Sequence, residues 1–208
     1  MFEVKRPLIC VVDDDDAVRE SISMLLATLA MDVRAYRDCM AFLSDPSARS
    51  ADCLILDVRL PGLNGLEFQS VFTEQIGDIP IIFISGHGDI PMAVRAMRQG
   101  ALDFLQKPFG EQALIDRVNQ AVSISLETRS RKASAAVIQA RLDLLTPRER
   151  EVFDGMLAGR ISKVIGDELG ISTRTVEQHR ARVMEKMRAS SVADLFKAIS
   201  LLRDNPGP

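Results

Sequence analysis

The chain has 208 residues, long enough for one large domain or two modest ones, and its formal net charge is −3. Its 47% hydrophobic and 26% charged residues are ordinary for a globular protein; no apolar run approaches the roughly 20 residues of a membrane-crossing helix. The opening MFEVKRPLICVV lacks the apolar stretch of a signal peptide, so a cytoplasmic protein is expected. Cys10, Cys39 and Cys53 form no metal-ligand pattern and leave one cysteine unpaired, which fits reduced thiols. Charge is shared unevenly: residues 1–123 hold 11 Lys+Arg against 18 Asp+Glu, and residues 124–208 hold 15 against 11. An acidic half joined to a basic half suits a metal or phosphate switch beside a nucleic-acid binder.

Five short apolar runs recur in the first half: LICVV (8–12), VRAY (33–36), CLILD (53–57), IPIIFI (79–84) and LDFLQ (102–106). Segments with helical periodicity separate them. Val18, Ile22, Leu25, Leu26 and Leu29, for example, share one stripe, with Arg19 and Glu20 outside it. Strands alternating with helices predict βαβ units, and so an α/β domain with a five-stranded, doubly wound parallel sheet. LICVV, CLIL and IPIIFI are continuously hydrophobic, as strands buried on both faces must be. Cys10 sits inside the first of these runs, which predicts core packing for it.

After about Val122 the β-type runs stop. Residues 124–143 are rich in Ala, Ser and Arg and contain no Gly or Pro. They predict a linker that is helical in part and could continue the helix before it. Residues 1–123 then form the first domain and 144–208 an all-α second one of four helices. Thr146-Pro147 with Glu149 reads as an N-cap and first turn, and Gly159 closes that helix. A short helix from about Ser162 to Leu169 ends at Gly170. Ser172 caps a longer one to about Arg188, and Ser190-Ser191 start the last, through Leu202. The tail DNPGP cannot continue a helix and is expected to fray.

In an open parallel sheet, ligands bind beyond the carboxyl ends of the strands. Asp13 and Asp14 follow the first strand, Asp57 ends the third, Ser85 ends the fourth and Lys107 follows the fifth, so one edge receives them all. Three close carboxylates repel one another unless a hard cation neutralises them, and Mg²⁺ fits an all-oxygen site. One carboxylate could then accept a phosphoryl group, whose oxygens the metal, an ammonium and a hydroxyl would compensate. Asp15 and Asp16 read as the cap and charged first turn of the next helix. His87, within GHGD, reads as a loop residue.

On VVDDDD, LILDVRLPGLNG, ISGHGD and FLQKPF, residues 7–122 resemble the response-regulator receiver domain. The resemblance implies that Asp57 is the phosphoacceptor. It also implies that Asp14, Asp57 and the backbone carbonyl of Arg59 hold Mg²⁺, with Asp13 assisting through water. Ser85 and Lys107 would grip the phosphoryl group, the Lys107-Pro108 peptide would be cis, and Phe104 would be the switch aromatic. Movement of Ser85 and Phe104 would remodel the face after Asp89, where Met92, Val94, Met97 and Arg98 are candidates for a partner surface.

The run IGDELGISTRTVEQHRARVMEKM reads as a helix-turn-helix. Val176, Val183 and Met187 mark the inward stripe of its second helix, while Arg174, Glu177, Gln178, Ala181 and Arg182 face outward. LTPREREVFDGMLAG, TVEQHRARVMEKM and SVADLFKAI resemble the four-helix LuxR-type domain of the NarL/FixJ class. With GHGDIPMAVRAM, the resemblance is to its FixJ-like branch. It implies that Lys163, Arg174 and Thr175 touch phosphates or the turn, that Glu177, Gln178 and Ala181 face bases, and that His179, Arg180 and Arg182 lie near the DNA backbone. The helix from Val192 to Leu202 would make the DNA-bound dimer. The family usually has Asn-Lys then Ile-Ala where this chain has Ser162-Lys163 then Ile165-Gly166. A glycine inside a short helix costs up to about 1 kcal/mol, so a weakened first helix is expected.

The expected protein is a transcriptional regulator rather than an enzyme. A sensor histidine kinase would phosphorylate Asp57, and the resulting homodimer would bind double-stranded DNA and engage RNA polymerase. A Mg²⁺-dependent phosphohydrolase is disfavoured because no acid or base lies two residues after Asp57, where Arg59 stands. A helical half that binds protein instead of DNA is the other alternative.

Overall fold

A computed structural model describes residues 6–62, 65–69, 77–86 and 90–203. His87, Asp89 and the DNPGP tail lie outside the described residues. The chain divides into two compact units, Met1–Thr128 and Arg129–Pro208.

In the first unit, strands β1 (Leu8–Val12), β2 (Asp32–Tyr36), β3 (Cys53–Asp57), β4 (Ile81–Ser85) and β5 (Asp103–Gln106) form one sheet. All are parallel, in the order β2-β1-β3-β4-β5, with the reversal between β1 and β3. The helices are α1 (Asp16–Ala27), α2 (Cys39–Leu43), α3 (residues 65–69), α4 (Ile90–Arg98) and the start of α5 (Glu111–Asp143). Side chains alternate across each central strand. Ile9, Val11, Ile55, Ile82 and Ile84 pack with Ile22 and Leu26 of α1 and Leu114 and Val118 of α5. Cys10, Val12, Leu54, Leu56 and Phe83 pack on the opposite face with Phe42, Phe68 and Ala96. Each such aliphatic side chain contributes roughly 1.5–3 kcal/mol on burial. Both layers are therefore needed, which is why these strands carry no polar alternation.

All three cysteines are free and buried. Burial pushes the Cys10 thiol up to about 11 and that of Cys39 to about 12, so neither forms a thiolate readily. The fourth strand begins at Ile81 rather than Ile79, because Pro80 has no N–H to give the ladder. The expected α1 stripe is buried at Ile22 and Leu26. Leu29 is exposed, since α1 ends at Ala27 and the chain turns through Ala30 at φ 56°. Asp52 is a buried carboxylate that accepts the Leu8 N–H at 2.8 Å and the Ser125 hydroxyl of α5 at 3.1 Å.

Residues 124–143, expected to be helical only in part, lie wholly within α5, a 33-residue helix. Without Gly or Pro, and with Ala and Arg recurring through it, nothing in this stretch terminates a helix.

The second unit continues with α6 (Pro147–Leu157), α7 (Ser162–Leu169), α8 (Thr173–Met187) and α9 (Val192–Arg203). Their caps are those expected. Thr146 and Glu149 form a capping box, Gly159 and Gly170 adopt positive φ, and Ser172 accepts the Thr175 N–H at 3.1 Å. Val152, Phe153, Ile165, Val176, Val183, Met187 and Leu195 fill the core together with Ile138 and Leu142 of α5.

Gly166 does not act as the weakness its helix propensity suggests. A β-carbon there would lie 2.8 Å from the backbone carbonyl oxygen of Ile171, so the turn between α7 and α8 is drawn tighter in this chain than a β-carbon admits without a shift. Gly166→Ala would gain helix propensity yet force the turn apart. It is expected to destabilise the second unit by about 1–3 kcal/mol. Chemical denaturation followed by circular dichroism checks this, and a more stable variant would refute the packing argument.

Candidate functional site

Parallel strands deliver their carboxyl ends to one edge, and the expected residues meet there. Asp13 follows β1, Asp57 and Ser85 end β3 and β4, and Lys107 follows β5. Asp13 and Ser85 are fully buried and Asp57 nearly so, while Asp14 is exposed. One oxygen from each of Asp13, Asp14 and Asp57 lies within 4.8 Å of the others. The Lys107 ammonium donates to Asp13 at 2.5 Å and to Asp57 at 3.4 Å. The Lys107-Pro108 peptide is cis, and the Lys107 N–H donates to the Ser85 carbonyl at 2.8 Å, fixing β5's exit beside β4.

The electrostatics follow from this crowding. Burial raises the Asp57 carboxyl above the usual range; Lys107 opposes the rise and neighbouring Asp13 adds to it. Burial alone would lower the Lys107 ammonium, but its bonds to Asp13 and Asp57 outweigh that and hold it above the ordinary lysine value. Three oxygen donors this close suit a hard divalent cation such as Mg²⁺. The Arg59 N–H donates to Asp57 at 3.3 Å, so Arg59's backbone belongs to the same loop. Phe104 is half-buried and packs against the core layer on the α4 side of the sheet.

Two contributors escaped the sequence reading. Gly65, within α3, comes so close to β3 that a β-carbon would sit 2.5 Å from the Asp57 carbonyl oxygen. Arg19, expected merely to lie off the α1 stripe, folds back to donate to the Asp13 carbonyl at 2.5 Å and pairs with Asp16. Neither has a distinctive local signal: one looks like any turn glycine, the other like any surface arginine. Asp15 caps α1 through the Ala17 N–H at 2.9 Å. Of the partner-surface candidates, Val94, Met97 and Arg98 are exposed on α4, as is Ile90. Met92 is half-buried against the core instead, because it sits on the sheet-facing side of the helix.

In the second unit, the stripe through Arg174, Glu177, Gln178, Ala181 and Arg182 is exposed, opposite buried Val176, Val183 and Met187. Lys163 is exposed on α7, whereas Thr175, His179 and Arg180 are half-buried. Thr175 shares a 2.8 Å hydroxyl–hydroxyl bond with Ser172, which places it in the cap of α8. His179 Nδ1 is buried without a hydrogen-bond partner among the described residues. Glu177 accepts a hydrogen bond from Ser162 and lies 3.8 Å from the Arg180 Nε. No described helix is long and apolar enough to cross a membrane.

An acidic pocket at the switch-point edge of a doubly wound sheet, with a helix-turn-helix in the same chain, is the arrangement of a phosphorylation-controlled DNA-binding protein. Residues 9–119 match the response regulator receiver domain family, and residues 143–198 match the luxR family of bacterial regulatory proteins. The chain is 40% identical to response regulator protein TmoT of Ectopseudomonas mendocina, over 95% of this chain and 90% of that protein. It is 41% identical to transcriptional regulatory protein FixJ of Bradyrhizobium diazoefficiens, over 91% of this chain and 92% of that one. Among solved structures, response regulator StyR superposes with a TM-score of 0.82 at 37% identity, covering 96% of this chain and all of that one. The chain therefore belongs to the response regulators that carry a receiver domain and a LuxR-type DNA-binding domain. Its function is phosphorylation-dependent regulation of transcription, with a kinase and DNA as partners.

Proposed function

We propose that Asp57 accepts the phosphoryl group of a phosphohistidine in a sensor kinase. A carboxylate oxygen of Asp57 forms the new bond to phosphorus as the bond to the imidazole nitrogen breaks, and the imidazole leaves. The observation that carries this is the convergence of three carboxylates and Lys107 on the switch-point edge. Mg²⁺ would be held by Asp14, Asp57 and the Arg59 carbonyl, with Asp13 acting through water, and when bound it would neutralise phosphoryl oxygens. Lys107 and Ser85 complete the grip on those oxygens, and Phe104 answers Ser85's movement. Residues 1–123 form the receiver, 124–143 a helical connection and 144–208 the effector domain of this cytoplasmic regulator.

Phosphorylation then drives homodimerisation. The exposed apolar side chains Ile90, Val94 and Met97 on α4 support an association face in the receiver, and the α9 helix supports one in the effector. Lys163, Arg174 and Thr175 touch DNA phosphates or the turn, His179, Arg180 and Arg182 lie near the DNA backbone, Glu177, Gln178 and Ala181 face bases, and the bound dimer engages RNA polymerase. Sedimentation with Mg²⁺ tests the switch: adding beryllofluoride, which mimics an aspartyl phosphate, is expected to double the solution mass. An unchanged mass would rule out phosphorylation-driven dimerisation.

A further inference from the structure

Glu177 is an anomaly on a surface that meets polyanionic DNA. It lies in the second turn of α8 on the exposed stripe, where a carboxylate repels phosphates and repels the acceptor atoms of guanine, adenine and thymine edges. Cytosine is the exception. Its major-groove edge offers the N4 amino donor without an acceptor beside it, and carboxylates read it for that reason. Glu177 is also held in place. Ser162, on the preceding helix, donates its hydroxyl to Oε1, and the half-buried Arg180 guanidinium stands 3.8 Å from Oε2. A carboxylate has about four lone-pair sites, so these two partners leave acceptor capacity free. Prior ordering removes side-chain entropy that a free glutamate would lose on contacting a base.

We propose that Glu177, oriented by Ser162 and Arg180, reads a cytosine in each half-site of the operator. This rests on the DNA-facing role given to α8 above. Glu177 is a specificity-determining residue, and Ser162 is a positioning residue that acts through it.

The test is enrichment of duplexes from a random library by the full chain with Mg²⁺ and beryllofluoride, followed by sequencing. The wild type is expected to recover a two-fold-related motif with one cytosine per half-site preferred roughly 5- to 10-fold or more. Glu177→Ala should lose the preference at that position alone, with an unchanged salt slope because no phosphate contact is removed. Glu177→Gln should move the preference towards adenine, which an amide matches. Ser162→Ala should weaken the cytosine preference, and Ser162→Thr, which keeps the hydroxyl, should restore it. An unaltered motif from Glu177→Ala would overturn the proposal and leave Glu177 as a strut between α7 and α8. A wild type that enriches no sequence would overturn the reading of α8 itself, a separately recognisable failure.

Discussion

Asp57→Asn is expected to take up no phosphoryl group above background from a small acyl phosphate or phosphoramidate donor with Mg²⁺, while the parent chain approaches roughly one group per chain. Asparagine matches aspartate in size but has no carboxylate oxygen to attack phosphorus. The loss should not come from unfolding. Asp57 is buried beside Asp13, and its carboxyl is raised above the ordinary value. A group with a raised folded-state pKa opposes folding once pH rises above its ordinary value, because the unfolded chain ionises it more easily. Without divalent cation at neutral pH, the neutral variant should therefore melt at or above the parent temperature. Lys107 keeps its 2.5 Å bond to Asp13 in either case, so the pocket retains its shape. Equal labelling of variant and parent would exclude Asp57 as the acceptor. A variant that melts well below the parent would instead place the loss in the fold.

How far the site could be read in advance depended on where each constraint acts. Asp13, Asp57, Ser85 and Lys107 were legible because each polar group directly ends or follows an apolar run, and parallel connections carry all the run ends to one edge. The α8 stripe was legible because Val176, Val183 and Met187 repeat at helical spacing. What stayed hidden depends on contacts between distant segments or on how close two backbones come. At Gly65 and Gly166 a β-carbon would crowd the carbonyl oxygens of Asp57 and Ile171, and sequence spacing carries no record of such approaches. The full extent of α5 is not legible in the sequence because polar, Ala-rich residues are equally at home in linkers and in helices. Met92 and Met97 look alike in sequence, yet one is half-buried and the other exposed, since only the sheet decides which side of α4 is covered.

The pair Glu149 and Lys186 is the clearest instance, and it sets the largest expected stability effect in the second unit. Glu149 read as a first-turn residue, and it does complete the capping box, accepting the Thr146 N–H at 2.9 Å. It is also only 2% exposed and takes a 2.6 Å bond from Lys186, 37 positions away near the end of α8. Lys186 in turn donates to the Leu144 carbonyl at 2.9 Å, and Arg141 of α5 donates to the Met187 carbonyl at 3.2 Å. The C-terminal end of α8 is thus tied to α6 and α5, which fixes the direction in which its exposed stripe points. Glu149→Ala removes the side-chain half of the capping box and leaves a half-buried ammonium short of its main partner. A loss of about 2–4 kcal/mol is expected, below the full cost of a completely buried pair because Lys186 keeps some solvent. In a unit of this size that lowers the melting temperature by roughly 10 °C or more. Lys186 and the Thr146 N–H hold the Glu149 carboxyl down from 4.5 to about 2. A depressed carboxyl stabilises fully above its ordinary value and loses that contribution as pH falls through the folded-state value. The parent should therefore lose stability steadily from about pH 4.5 to about pH 2, and Glu149→Ala should be flatter across that window. Lys186→Ala should cost nearly as much as Glu149→Ala, and the double variant little more than either alone. Additive losses would mean that the two side chains act separately, and the tie between α6 and the end of α8 would then rest on backbone contacts.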